Sequence, residues 1–216
     1  MLPQFTYPTI NISVLNDNKP LLVCDADEVI FDFMTSFEKY LNNQNLYFSW
    51  NSYALEGNIL DNNNNQIHKD FIKEIINEFF KANTCTMNLM KGAKNSLKKL
   101  SSAFNIIVLS NIPFDFYDDR LKALKNNNLN FPFYANKGPK GKIMKKIARE
   151  FKNNVWFIDD SPFQVKSVQQ AEKRIKTILF VGNSKLEKLI QSRKYWDFFS
   201  NKWKKNEEIL LNMEQI

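Results

Sequence analysis

The run Leu21-Leu22-Val23-Cys24, followed directly by Asp25-Ala26-Asp27-Glu28-Val29-Ile30-Phe31, constrains this chain more than any other stretch. A short apolar run that stops at charge has the pattern of a fully buried strand. Asp25 and Asp27 stand two residues apart, so both can serve one site above the strand's carboxyl end. In open α/β sheets that edge is where ligands bind. Two close acids add nothing to a core strand, since each raises the other's pKa unless a cation lies between them. The pair points to a divalent metal, a phosphate reaction, or both. Alone, Asp-x-Asp is also compatible with an ordinary loop, so the rest of the chain decides.

Further strand-like runs follow at intervals. Phe104–Leu109 ends in Ser110-Asn111, Val155–Ile158 ends in Asp159-Asp160-Ser161, and Thr177–Val181 ends at Gly182, with a weaker run at Phe131–Ala135. Between them, helical spacing marks Tyr117–Lys125, Lys142–Phe151 and Gln164–Lys173. Strands alternating with helices predict an α/β fold, a three-layer, Rossmann-like parallel sheet covered on both faces. The stretch after the first strand breaks this rhythm. Helical patterns at Phe31–Leu41, His68–Phe80 and Leu89–Leu100 flank a polar and aromatic segment without a strong strand. It predicts a small helical cap inserted after the first core strand. One domain spans 1–216 on this reading, with the core at about 20–32 and 96–183, the cap at about 33–95 and a helical tail at 184–216. Ahead of the core, between Pro3, Pro8 and Pro20, the alternation Ile10-Asn11-Ile12-Ser13-Val14 predicts a short edge strand.

Length and composition fit this picture. A chain of 216 residues, 44% hydrophobic and 25% charged, can bury a sizeable core. The net charge of +7 favours anionic partners, although lysine- and asparagine-rich coding bias explains it equally well. The lysines of 137–152 lack the aromatic interleaving of a single-strand surface, which argues against nucleic acid. No apolar run is long enough to span a membrane and no leader pattern opens the chain. Cys24 and Cys85 form no metal or disulfide spacing, so a soluble cytoplasmic protein is expected. Phe71, Phe79 and Phe80, and the group Tyr47, Phe48, Trp50 and Tyr53, are expected to pack the interior. His68 is expected to cap or decorate a helix. The aromatic tail leaves the oligomeric state open.

Three strong strands thus stop at Asp25/Asp27, Ser110/Asn111 and Asp159/Asp160, while Lys137-Gly138-Pro139-Lys140-Gly141-Lys142 supplies ammonium groups before a helix. Acids, a hydroxyl and a lysine at one sheet edge match phosphoryl transfer, in which positioning and charge neutralisation supply most of the catalysis. The order Asp-x-Asp, Ser-Asn, Lys, Asp-Asp over residues 20–183 resembles the haloacid dehalogenase-like hydrolase superfamily, phosphatase branch. Lys140 is the best match to the third motif, ahead of Lys137 and Lys142. Two positions depart from the pattern. Glu28 stands where many relatives have a small residue, and Phe163 where a Gly often follows the last acids.

The resemblance implies a Mg²⁺-dependent phosphatase acting on a small phosphorylated metabolite through an aspartyl-phosphate on Asp25. Asp27 would be the general acid and base. Ser110, Asn111 and Lys140 would bind the phosphoryl group. Mg²⁺ would be held by Asp25, the backbone carbonyl of Asp27 and an acid of the last pair, with Asp160 ranked ahead of Asp159. Asp27 argues against a dehalogenase, which lacks that second acid. The alternatives are a phosphomutase or phosphotransferase using the same Asp, or a non-catalytic phosphate-binding or interaction module with the same fold.

Overall fold

A computed structural model describes residues 6–190 and 195–215. Pro3, positions 191–194 of the tail and Ile216 lie outside the described residues. The chain starts with β1 (Thr6–Tyr7) and reaches β2 (Leu21–Cys24). Then come α1 (Phe33–Asn43), β3 (Leu46–Phe48), β4 (Ile59–Asp61), α2 (Lys69–Asn83) and α3 (Ala93–Leu100). Strict alternation follows: β5 (Asn105–Ser110), α4 (Tyr117–Asn126), β6 (Phe133–Asn136), α5 (Gly141–Glu150), β7 (Val155–Asp159), α6 (Pro162–Ala171) and β8 (Lys176–Phe180). The chain closes with α7 (Ser184–Glu187), β9 (Phe198–Ser200) and α8 (Trp203–Glu214).

Among the described residues, seven strands form one sheet in the order β1-β6-β5-β2-β7-β8-β9. All neighbours are parallel except β1, which runs antiparallel to β6. Helices pack on both faces, as expected for continuous apolar strands buried on two sides. The central strand is β2, whose four residues are wholly buried. Its Cys24 aligns with Val108 of β5 and Ile158 of β7, so Asp25 emerges level with Asp159. From β2 the order runs to β5 and β6 on one side and to β7 and β8 on the other. This is the switch point at which parallel sheets open a crevice.

Three expectations are corrected. Ile10–Val14 is not a strand: the Asn11 side chain accepts from the Ser13 N–H and hydroxyl and closes a local turn, and the edge strand is Thr6–Tyr7. The segment after β2 is not purely helical, because β3 and β4 pair antiparallel. Buried Asn58 braces their connection, donating to Ser52 Oγ and the Ala54 carbonyl and accepting from Ser49 Oγ and the Asn51 N–H. The tail is not all helix either. Its Asp197 accepts from the Thr177 N–H and hydroxyl (2.7 and 2.8 Å), which docks β9 parallel to β8.

Helix α8 braces the turn beside the crevice. Trp203 is 1% exposed, and its Nε1 donates to the Val29 carbonyl (2.8 Å), fixing the turn that follows Asp27. Burying an indole of roughly 200 Å² is worth about 5 kcal/mol before entropy is counted. Among the described residues no helix is long and apolar enough to cross a membrane.

Candidate active site

The carboxyl ends of β2, β5 and β7 bring Asp25, Ser110 and Asp159 to one edge, and the turn after β2 adds Asp27. That turn is tightly wound. The N–H groups of Ile30 and Phe31 both donate to the Ala26 carbonyl (2.8 and 2.9 Å), and the Glu28 N–H donates to the Phe31 carbonyl (2.8 Å). Glu28 adopts φ 61°, the left-handed region most easily occupied by glycine. The strain is offset where its Oε2 accepts the Met34 N–H (2.8 Å) and so helps to cap α1.

Lys140 lies between two of the acids. Its Nζ donates to Asp25 Oδ1 (2.6 Å) and Asp159 Oδ2 (2.7 Å), and the residue is 1% exposed. Burial opposes its charge, yet Asp159 and Asp25 hold its pKa above the ordinary lysine value. Two contacts fix its backbone: the Lys140 N–H donates to Gln164 Oε1 (2.9 Å), and the Gly141 N–H donates to Ser167 Oγ (3.0 Å). A Cβ at Gly141 would lie 2.3 Å from the Ser167 carbonyl oxygen, so only glycine lets α5 approach α6 this closely. Lys137 and Lys142 are both exposed. Asn111 Nδ2 donates to the Gly138 carbonyl (2.9 Å) and its Oδ1 accepts from Asn136 Nδ2 (2.7 Å), bracing the loop that carries Lys140.

The last acidic pair divides its contacts. Asp159 is buried with both oxygens engaged, Oδ2 by Lys140 and Oδ1 by the Ser161 N–H (2.9 Å). Asp160 is partly exposed and lines the cavity above the strand ends. Burial raises the pKa of both, and for Asp160 the charges of Asp159 and Asp25 add to it. Carboxylate oxygens of Asp25, Asp159 and Asp160 all lie within 4.8 Å of one another. Three hard oxygen donors at this spacing fit a small divalent cation such as Mg²⁺.

Asp27 is held on both oxygens. Ser110 Oγ donates to Oδ2 (3.2 Å), and Arg120 Nη2 donates to Oδ1. Burial raises the Asp27 pKa, and the Arg120 charge opposes that rise.

Over these groups lies a cavity of about 310 Å³ bounded by Asp25, Asp27, Glu28, Asp160, Tyr53 and Phe80, among others. A larger recess of about 690 Å³ adjoins it, and Asn111 and Ile76 border both. Tyr53 and Phe80 therefore face the cavity rather than serving only as packing, while Phe71 is 59% exposed on the outer side of α2. His68 pairs with Asp70 on the surface (3.2 Å) at the start of α2. Phe163 is 61% exposed and is not among the residues that bound the cavity.

Sequence reasoning misses Arg120, Glu28 and Tyr53 as site residues. Arg120 does leave a signal: with Ala123 and Leu124 it falls on the buried stripe of α4, where a charge requires a buried partner. Glu28 stands out in sequence only as a departure from the family pattern, and nothing local places Tyr53 at the cavity.

No family model matches this chain and no curated protein matches it. Solved structures do resemble it. A conserved haloacid dehalogenase-like protein of unknown function from Agrobacterium tumefaciens aligns with TM-score 0.63 at 14% identity, covering 90% of this chain and 98% of that one. A HAD family hydrolase from Deinococcus radiodurans, with bound phosphate and sodium, aligns with TM-score 0.61 at 11% identity, covering 92% and 98%. A predicted phosphoglycolate phosphatase from Haemophilus somnus aligns with TM-score 0.59 at 14% identity, covering 91% and 99%. The chain therefore has the fold of the haloacid dehalogenase-like hydrolases.

Proposed function

We propose that this protein is a Mg²⁺-dependent phosphatase that hydrolyses a small phosphomonoester through Asp25. The observation that carries the reading is the close set of Asp25, Asp159 and Asp160 with Lys140 bonded to two of them, at the switch point of the sheet. The fold, and the phosphate bound to the Deinococcus hydrolase that shares it, support the same chemistry.

Asp25 attacks phosphorus, and the bond to the ester oxygen breaks as that oxygen takes the proton of Asp27. The phosphoryl group then rests on Asp25. Asp27, now a carboxylate, takes a proton from water as the water attacks phosphorus, which releases inorganic phosphate and restores Asp25. Ser110 and Asn111 donate to phosphoryl oxygens. Lys140, bonded to Asp25, offsets the negative charge that accumulates beside it. Asp25, Asp160, Asp159 and the Asp27 carbonyl would hold Mg²⁺, which when bound neutralises charge on the phosphoryl oxygens. The segment 33–95 acts as the cap over this site, and the two adjoining recesses suit a metabolite of modest size. A buried Cys24 and a Cys85 outside any disulfide suit a reducing, cytoplasmic setting.

The test is hydrolysis of p-nitrophenyl phosphate with and without Mg²⁺ by the native chain and Asp25→Asn. Metal-dependent turnover that the substitution abolishes supports the reading. No phosphate release from this ester or from a broad panel of phosphorylated metabolites by the folded native chain moves the non-catalytic module ahead.

A further inference from the structure

Arg120 is wholly buried, and its only hydrogen-bond partner among the described residues is Asp27. Its Nε and Nη1 are buried without partners, while the guanidinium lies 4.4 Å from the centroid of the buried Phe31 ring. Burying a guanidinium with two donors unmatched is costly, and folding stability alone gives no reason to retain it. What it does achieve is asymmetry at Asp27.

An N–H of Arg120 points at Oδ1, so a proton on Oδ1 would face a donor with no acceptor to receive either hydrogen. Oδ2 differs, because its partner Ser110 is a hydroxyl that can turn and accept, so a protonated Asp27 carries its proton on Oδ2 while Oδ1 keeps the Arg120 bond. The cavity lies on that side: Asp27 and Ser110 both line it and Arg120 does not, and the Asp27 side chain keeps 19% exposure while Arg120 has none. A rigid, planar donor braced on an aromatic face suits this task better than a flexible ammonium.

We infer that Arg120 is the positioning residue that turns Asp27 so that its proton sits on Oδ2, facing the leaving-group oxygen of the substrate. The inference rests on the phosphatase reading and extends it. Ser110 Oγ must leave Asp27 Oδ2 to reach a phosphoryl oxygen, which frees that edge for the leaving group.

A leaving group of low basicity departs without a proton, whereas an alkoxide needs one. The experiment compares kcat/KM for p-nitrophenyl phosphate and glycerol 2-phosphate in the native chain, Arg120→Met, Arg120→Gln, Arg120→Lys and Asp27→Asn. The expected result is that Arg120→Met loses at least about ten-fold more on the alkyl ester than on the aryl ester. Arg120→Lys recovers part of that ratio, and adding Arg120→Met to Asp27→Asn leaves the ratio of Asp27→Asn unchanged. Equal losses on both esters would overturn the inference, because they would reduce Arg120 to a fold support. If Arg120→Met does not fold, Arg120→Gln carries the same comparison, and equal losses there overturn the inference in the same way. A native chain that turns over neither ester fails at the phosphatase reading itself, a result distinct from equal losses in an active enzyme.

Discussion

Replacing Lys140 with Met tests the electrostatics of the site without any substrate. The side chain keeps its approximate length but loses bonds of 2.6 Å to Asp25 and 2.7 Å to Asp159, whose side chains are 10% and 1% exposed. Breaking a buried ion pair from one side costs about 3–5 kcal/mol, because the remaining charge stays unpaired. Two carboxylates about 5 Å apart repel by about 3–4 kcal/mol at an effective dielectric of 20, a similar figure. A loss of about 4 kcal/mol would lower the melting temperature of a chain this size by about 8–16 °C. Thermal unfolding followed by circular dichroism, in EDTA near pH 7, measures it directly.

Two conditions sharpen the Lys140 prediction. Millimolar Mg²⁺ should restore part of the lost stability, since a cation held by the same acids replaces the ammonium. Lower pH should also narrow the gap. Burial raises the folded-state pKa of Asp159 and Asp160, and the Lys140 charge opposes that rise, so without Lys140 the folded variant binds more protons than the folded native chain and gains more from acid. The deficit at about pH 5 should then be smaller than near pH 7. A Lys140→Met protein that melts with the native one in EDTA near pH 7, or that loses more at the lower pH, would show that Lys140 does not hold these acids together.

Other outcomes follow from single contacts. Gly141→Ala forces a methyl to within 2.3 Å of the Ser167 carbonyl oxygen, which should cost about 1–3 kcal/mol in chemical denaturation and lower turnover by displacing Lys140. Glu207 of α8 accepts from Ser96 Oγ (3.0 Å), Lys99 Nζ and Lys204 Nζ (both 2.8 Å). Burial opposes its charge, but these donors pull its pKa down to about 2. Its contribution is therefore complete above the unfolded carboxylate value and lost as pH falls through about 2. Glu207→Gln should cost about 1–2 kcal/mol near pH 7, since both lysines are largely exposed, and progressively less as pH falls from about 4 to 2. Urea unfolding across that range checks it.

The parts of the fold legible in sequence are those with an unbroken local pattern. Strands β2, β5 and β7 are buried on both faces, so their apolar runs are continuous and their polar ends stand out as the residues that reach the crevice. What escapes depends on distant partners. Arg120 meets Asp27 across 93 positions, and no local periodicity encodes that pairing. Strand β9 has three residues and owes its place to Asp197 bonding Thr177, 20 positions away. The pair β3–β4 is held by the many bonds of one buried asparagine, which in sequence looks like another residue of a polar loop. Motif alone ranks Lys140 above its neighbours, and the 1% exposure of its side chain adds a physical reason the sequence could not supply.

If Asp25 is the nucleophile, it carries the phosphoryl group during turnover. Rapid quenching of the native chain during turnover of a phosphomonoester with Mg²⁺, followed by borohydride reduction, converts a phosphorylated aspartate to homoserine. Peptide mass spectrometry then locates it. Homoserine should appear at position 25, absent without substrate and absent in Asp25→Asn. Turnover with Asp25 unmodified, or with the label at another acid, would contradict that role for Asp25.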